Sequence, residues 1–252
     1  MKPLAGRRII VTRPKGQAEA LAALIRQEGG EALSIPAIEI RPLADPAAFQ
    51  VFADRLESFD LAIFVSGNAV RSALALLRGR PWPAHLKVAT VGSASRHALE
   101  DSGFSGVIAP AAQPDSEGLL ALPEMAAVRG KRVAILRGDA GRELLGEELA
   151  RRGAAVEYVA CYRRVRPEAG ELAHAWDRGV DAVTISSSEG LANFLDMLGA
   201  DAVARLARVA LFVPHARVAE DAARRGLRAA IVAGPGNAEM AAALVAYFGG
   251  AR

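Results

Sequence analysis

The sequence predicts an α/β protein made of two doubly wound parallel-sheet domains joined by a two-stranded antiparallel linker. Three observations predict it. Short β-type runs alternate with amphipathic helical stretches throughout, the pattern of parallel sheets covered by helices on both faces. One strand–turn–helix passage occurs twice: Phe59-Asp60-Leu61-Ala62-Ile63-Phe64-Val65-Ser66-Gly67-Asn68-Ala69-Val70 reappears as Val180-Asp181-Ala182-Val183-Thr184-Ile185-Ser186-Ser187-Ser188-Glu189-Gly190-Leu191. Two segments, Ala37-Ile38-Glu39-Ile40-Arg41-Pro42 and Cys161-Tyr162-Arg163-Arg164-Val165-Arg166-Pro167, alternate apolar with polar residues and end at proline, so they read as extended connectors.

The first strand is read at 8–12. A helix follows over about 16–28, with Ala18, Leu21, Ala22, Leu24 and Ile25 on one face, and Gly29-Gly30 stops it. Further strands are read at 32–35, 61–65, 88–91, 106–109, 133–136, 155–159, 182–185, 209–213 and 229–232. The repeat extends beyond its first pair. Arg8-Ile9-Ile10-Val11-Thr12-Arg13 matches Arg132-Val133-Ala134-Ile135-Leu136-Arg137, and 87–99 parallels 208–221. Duplication explains this, although strand–turn–helix units also resemble one another by chance. The connectors predict domains that are not the duplicated halves: residues 1–36 with 166–252 form a discontinuous domain, 43–158 an inserted one, and 37–42 and 159–165 link them. Each domain then receives five strands, the usual number for a doubly wound sheet.

Composition narrows the function classes. Apolar residues make up 52% and charged residues 23% of the 252, which predicts a globular protein. No apolar run approaches the ~18 residues of a membrane span. Lys2, Arg7 and Arg8 precede too short an apolar run for a signal peptide, so a cytoplasmic location without membrane contact is expected. The single cysteine, Cys161, excludes an internal disulfide and a cysteine zinc cluster. A net charge of +3 suits an acidic small ligand, while the absence of long basic blocks and an aromatic content of 5% argue against nucleic acid.

The polar turns after the strands are the candidate binding elements, because ligands of open parallel sheets sit beyond the carboxyl ends of the strands. They are Thr12-Arg13-Pro14, Ser66-Gly67-Asn68, Gly92-Ser93-Ala94-Ser95, Arg137-Gly138-Asp139, Ser186-Ser187-Ser188 and Pro214-His215-Ala216-Arg217. Each serves as an ordinary helix cap or as an anion site, since a helix N-terminus offers unpaired N–H groups and a positive dipole end. Two such turns from a duplicated unit suggest two walls for one polyanionic ligand. Arg13 and Arg137 occupy matching strand ends, where a guanidinium pairs with a carboxylate or bonds nearby carbonyls. Tyr162, on a connector, is a packing residue or a general acid, a phenol being protonated at neutral pH. Cys161 reads as a small buried side chain. His215 follows a strand and suits proton chemistry, whereas His85, His97 and His174 lack partners at metal-ligand spacing. No Walker A sequence or nucleophile elbow occurs, and Gly234-Pro235-Gly236-Asn237-Ala238-Glu239 lacks the third glycine of a dinucleotide fingerprint. The expected chemistry is positioning and proton transfer, without metal or cofactor.

The order of these motifs resembles the uroporphyrinogen-III synthase family. The likeness rests on Val11-Thr12-Arg13-Pro14, Phe64-Val65-Ser66-Gly67-Asn68-Ala69-Val70, Val91-Gly92-Ser93-Ala94-Ser95, Asp115-Ser116-Glu117-Gly118-Leu119-Leu120, Leu136-Arg137-Gly138, Cys161-Tyr162-Arg163-Arg164, Ser186-Ser187-Ser188-Glu189-Gly190 and Arg217-Val218-Ala219. The resemblance implies a fold of two flavodoxin-like domains joined by a two-stranded ladder. It also implies a cofactor-free lyase of tetrapyrrole and heme biosynthesis, which closes the linear tetrapyrrole hydroxymethylbilane with loss of water and inversion of the last ring. The substrate carries acetate and propionate groups on every ring, in keeping with many anion-binding turns. By the same resemblance Tyr162 assists departure of the substrate hydroxyl and Ser95 adds a supporting hydrogen bond. Thr12, Arg13, Ser66, Asn68, Ser93, Arg137, Gly138, Ser186, Ser187, Ser188, His215 and Arg217 form the substrate-binding set. His215 stands where some relatives have a hydroxyl residue. The implied state is a monomer in transient contact with the preceding enzyme of the pathway.

Two other readings use the same fold. One is a non-catalytic two-lobed anion-binding or regulatory protein, for which an appended DNA-binding segment is the usual sign; the chain stops at Arg252 without one. The other is a glycosyltransferase-like enzyme, whose nucleotide-sugar motifs are not evident.

Overall fold

A computed structural model describes residues 2–111, 113 and 115–250; the outermost ends of the expected discontinuous domain, at residue 1 and at 251–252, lie outside the described residues. In chain order the first elements are β1 (Arg8–Val11), α1 (Glu19–Gln27), β2 (Glu31–Ser34), β3 (Glu39–Arg41), α2 (Ala47–Ala53), β4 (Leu61–Phe64), α3 (Gly67–Leu77), β5 (Lys87–Thr90) and α4 (Ser93–Glu100). Next come α5 (Ser116–Leu120), α6 (Pro123–Ala126), β6 (Arg132–Gly138), α7 (Leu144–Arg151), β7 (Ala155–Val165), α8 (Leu172–Asp177) and β8 (Ala182–Thr184). The chain closes with α9 (Ser188–Leu198), α10 (Ala202–Leu206), β9 (Ala210–Val213), α11 (Ala216–Arg224), β10 (Ile231–Val232) and α12 (Asn237–Gly249).

The chain divides into two compact units, Met1–Glu39 with Val165–Arg252, and Ile40–Arg164. The discontinuous unit holds a sheet of order β10-β9-β8-β1-β2, and the continuous unit one of order β3-β7-β6-β4-β5. Every pairing with a stated register is parallel. Leu61–Phe64 is buried at every position, as a parallel strand covered on both faces must be.

Sheet register shows the duplication to be structural. Ile9 lies opposite Ala182, and Val133, its counterpart in the repeat, lies opposite Leu61, the counterpart of Ala182. One hydrogen bond is made twice. The Asp181 carboxylate accepts from the Arg8 amide at 2.8 Å, and the Asp60 carboxylate accepts from the Arg132 amide at 2.7 Å. Each unit therefore combines the leading strands of one repeat with the trailing strands of the other.

Two readings are corrected. Residues 106–109 do not form a strand; Ile108 makes one isolated bridge to Ala89, between Gly106 at φ +65° and Pro110, which leave no room for a longer ladder. The fifth strand of the continuous unit is instead β3, hydrogen-bonded to β7. The segment 161–165 is the far end of β7, an eleven-residue strand.

In each unit the helices take both faces of the sheet. In the discontinuous unit, Leu21 and Ile25 of α1 and Met240 and Leu244 of α12 pack with Ile9 and Val11. Leu191 and Phe194 of α9 and Val218 of α11 pack with Ile10 and Val183 on the opposite face. In the continuous unit, Val70 and Ala73 of α3 and Leu99 of α4 join Ala62, Phe64 and Leu136. Leu119 of α5 and Leu145 and Leu149 of α7 join Leu61, Ile63 and Val133 on the other. Helices leave neighbouring strands in opposite directions at two places, β1 with β8 and β4 with β6. Such a switch point opens a crevice at the carboxyl ends of its strands.

Candidate active site

The crevice of the continuous unit lies beyond the end of β4, at Ser66, and the end of β6, at Gly138. Ser66 is extended, at φ −167° and ψ 161°, and caps α3: its hydroxyl oxygen accepts from the Ala69 amide at 3.1 Å. Serine is favoured there because it satisfies an amide the helix itself leaves open. Tyr162 comes from the neighbouring β7. Its ring belongs to the core and the residue is only 1% exposed, yet its hydroxyl lies 3.3 Å from the Ser66 hydroxyl.

A register shift places that ring. Arg137 pairs with Ala160, but Gly138 pairs with Tyr162, so β7 gains one residue at this step. The turn is held by the Asp139 amide, which donates to the Tyr162 carbonyl at 3.0 Å, and by the Asp139 carboxylate, which accepts from the Arg164 amide at 3.1 Å. Gly138 has no side chain in the way. A Cβ there would stand 2.9 Å from Cε2 and 3.1 Å from Cζ of Tyr162.

Arg137 turns to the opposite face. Its guanidinium stacks over the Tyr158 ring at 4.8 Å and donates to the Arg142 carbonyl at 3.4 Å. It is 8% exposed and lines a cavity of about 380 Å³ with Gly138, Asp139, Gly141, Glu143 and Tyr158. Tyr158 is a contributor that the motif reading missed. Its hydroxyl donates to the Glu143 carbonyl at 2.9 Å, and burial raises its pKa above the usual phenol value. Its sole sequence signal is its place on the strand beside Arg137.

Ser93 is the exposed first residue of α4, and Ser95 faces the core at 5% exposure. The α4 helix follows β5, the edge strand beside β4. The hydroxyl that stands within hydrogen-bond distance of the phenol is that of Ser66. The Asn68 side chain accepts from the Arg71 guanidinium at 2.7 Å. Cys161 is buried next to Tyr162, and burial pushes its thiol up to about 12, so it remains protonated and unreactive at neutral pH.

The crevice of the discontinuous unit lies between the ends of β1 and β8. The buried Thr12 hydroxyl donates to the Thr184 carbonyl at 2.7 Å and ties the two strands together. Arg13 is half-buried and donates to the Pro235 carbonyl at 3.0 Å; desolvation lowers its pKa below the usual guanidinium value. Ser187 caps α9 as Ser66 caps α3, its hydroxyl accepting from the Gly190 amide at 3.0 Å. Ser186 and Ser188 flank it, half-buried. His215 is the extended residue before α11 and makes no side-chain cap, and both it and Arg217 are exposed. The two turns of the repeat thus share one geometry. The first capping amide of each helix, at Ala69 and Gly190, is already taken by its own serine.

No group of three His, Cys, Asp or Glu residues able to hold a metal occurs among the described residues. No helix among them is long and apolar enough to cross a membrane.

These features define a class: a doubly wound α/β enzyme of two sheets, with a phenol at one switch point. Comparison with known proteins gives the family. The model of uroporphyrinogen-III synthase HemD matches residues 19–242. Uroporphyrinogen-III synthase of Salmonella typhimurium is 39% identical over 192 residues, covering 73% of this chain and 76% of that protein. The Escherichia coli enzyme is 36% identical over 194 residues, again covering 73% and 76%. Among solved structures, a mutant uroporphyrinogen III synthase from Thermus thermophilus superposes with a TM-score of 0.63 at 18% identity, covering 94% of this chain and 97% of that one. The chain belongs to the uroporphyrinogen-III synthase family, enzymes of the cyclising lyase type in tetrapyrrole biosynthesis.

Proposed function

We propose that this enzyme closes hydroxymethylbilane to uroporphyrinogen III with Tyr162 as the general acid. The observation that carries the reading is the meeting of Tyr162, Ser66 and Gly138 at a switch point, with the phenol oxygen beside a helix N-terminus. In the first step the bond from the terminal methylene carbon to its hydroxyl breaks, and the electron pair leaves with oxygen. Tyr162 supplies the proton that makes the leaving group water. The cation left on the tetrapyrrole is then attacked by the terminal ring through the ring carbon that already carries its methylene bridge. The bond from that carbon to the bridge breaks, the bridge re-forms at the ring's free α-carbon, and the proton lost there on rearomatisation restores the phenol. General acid help of this kind contributes about 10²–10⁴-fold. The remaining barrier is one of folding the linear substrate so that the terminal ring attacks through its bridged carbon and not its free one, which is positioning work.

The carboxylates of the substrate suit Arg13, Ser186, Ser188, His215 and Arg217 on the discontinuous unit, and Ser93 and Arg137 on the continuous one. Arg13 is the strongest of these on physical grounds. Its guanidinium is half-buried with one carbonyl acceptor, so a carboxylate bound to it gains a desolvated charge-assisted pair. Cys161 takes no part as a nucleophile, its thiol being held protonated. A monomer in the cytoplasm, meeting the preceding pathway enzyme only transiently, completes the reading.

The test is product analysis. Incubation with freshly prepared hydroxymethylbilane should yield the type III isomer well above the spontaneous background. Formation of the type I isomer alone would overturn the reading. Gel filtration coupled to light scattering checks the monomer.

A further inference from the structure

Tyr162 is held by two groups that nothing in the chemistry of the leaving hydroxyl requires. Gly138 has a φ outside the left-handed region, so its backbone does not call for glycine. What excludes a side chain there is the Tyr162 ring, which a Cβ would meet at 2.9 Å. Glycine at 138 is thus fitted to the tyrosine and not to the turn. The ring's position is set on its other side by the β7 register shift, which brings Tyr162 level with Gly138.

The Ser66 hydroxyl completes the arrangement. Its oxygen accepts from the Ala69 amide at 3.1 Å, which leaves its own proton to direct at the phenol oxygen 3.3 Å away. Ser66 caps an eleven-residue helix, so this donor lies at the positive end of α3. When Tyr162 releases its proton to the departing hydroxyl, the phenolate finds a hydrogen bond and a favourable dipole already in place. A preorganised donor of that kind lowers the barrier without reorganising in the transition state.

We infer that Ser66 and Gly138 are positioning residues for Tyr162, Gly138 seating the ring and Ser66 holding and stabilising its oxygen. This rests on the proposed role of Tyr162 and reassigns both residues from the substrate-binding set. Ser66 then acts on kcat through the phenol and not on KM through a substrate carboxylate.

The experiment is a steady-state double-mutant cycle on the full chain, with hydroxymethylbilane as substrate and type III product as readout. Ser66→Gly removes the hydroxyl while costing the helix cap little. It should lower kcat about 3–10-fold, the size of one net hydrogen bond, with KM within about twofold. Ser66→Thr keeps the hydroxyl and should restore most of the rate. Gly138→Ala should lower kcat more than Ser66→Gly, with KM again little changed. In the Tyr162→Phe background, Ser66→Gly should have almost no further effect, because its partner oxygen is gone. If Gly138→Ala fails to fold, the Ser66 cycle decides alone. A rise of tenfold or more in KM at unchanged kcat, or a Ser66→Gly effect that persists in full beside Tyr162→Phe, overturns the inference while leaving Tyr162 as the acid. A Tyr162→Phe enzyme at full rate overturns both assignments, and continued formation of the type III isomer then shows that the activity itself stands.

Discussion

The two switch points come from one duplicated unit and carry different side chains. In the continuous unit Ser66 caps α3 and Tyr162 reaches its hydroxyl. In the discontinuous unit Ser187 caps α9, and the residue that the repeat aligns with Tyr162 is Ile38, buried at 7% exposure. The Ile38 Cδ1 lies 3.9 Å from where a Cβ on Gly190 would stand, beside the same turn. The arginines diverge as well: Arg13 is half-buried over a carbonyl, whereas Arg137 is stacked on Tyr158 on the far face of its sheet. The scaffold therefore supplies the polar turn twice and the phenol once. A duplicated fold repeats backbone geometry readily, because register and capping depend on many residues. On the proposed role of Tyr162, a single side chain at the strand end decides which copy does chemistry.

The largest test of this contrast is the pair Tyr162→Phe and Ile38→Val. The first should lower kcat by about 10²–10⁴-fold with the fold intact by circular dichroism. The second should cost about 0.5–1.5 kcal/mol of stability in urea titration and leave kcat within twofold. Comparable kinetic losses in both would dissolve the asymmetry. Next in size is Arg13→Met, which should raise KM by about 10–100-fold with a smaller change in kcat, as expected for one charge-assisted carboxylate contact. Arg13→Lys should recover only part of it, since an ammonium cannot form the planar two-bond pair.

Gly146→Ala probes the seat of Tyr158, because a Cβ there would come 2.1 Å from the Tyr158 hydroxyl. A stability loss of about 1–3 kcal/mol is expected from this overpacking, read by chemical denaturation. The smallest effect concerns Cys161. Its folded pKa of about 12 lies above the ~8.5 of an unfolded thiol, so its contribution to stability is complete below about pH 8.5 and is lost as pH rises toward 12. Iodoacetamide at pH 8 should leave the native protein unlabelled and modify it fully in urea; rapid native labelling would place the thiol at a surface.

Much of the architecture was legible before coordinates, for physical reasons visible in particular residues. Continuous apolar runs such as Leu61–Phe64, stopped by Ser66-Gly67, admit few alternatives to buried parallel strands. The paired aspartates Asp60 and Asp181 stand at equivalent places in the repeat and make the same bond to equivalent amides. The misreading at 106–109 arose because a single bridging residue, Ile108, satisfies the local pattern of a strand. The site was legible only as a set of turns. Gly138 reads as an ordinary turn glycine, since the ring that demands it stands 24 positions later and meets it through a shifted register. Ser66 and Ser95 look alike as turn serines. That Ser66 lies beside the phenol depends on strand order, a property of the whole sheet and not of the motif.

The exchange of strands between repeats has a consequence for biosynthesis. The continuous unit emerges as one uninterrupted piece and can consolidate as soon as β7 leaves the ribosome. Strands β1 and β2 have no such option. The Arg8 amide is completed by Asp181, 173 residues further on, and at ~5–20 residues per second that partner is roughly 10–35 seconds from synthesis. Through that interval Ile9, Ile10 and Val11, fully buried in the finished molecule, lack their central neighbour. The amino-terminal strands thus stay without their sheet partner for most of the chain's synthesis.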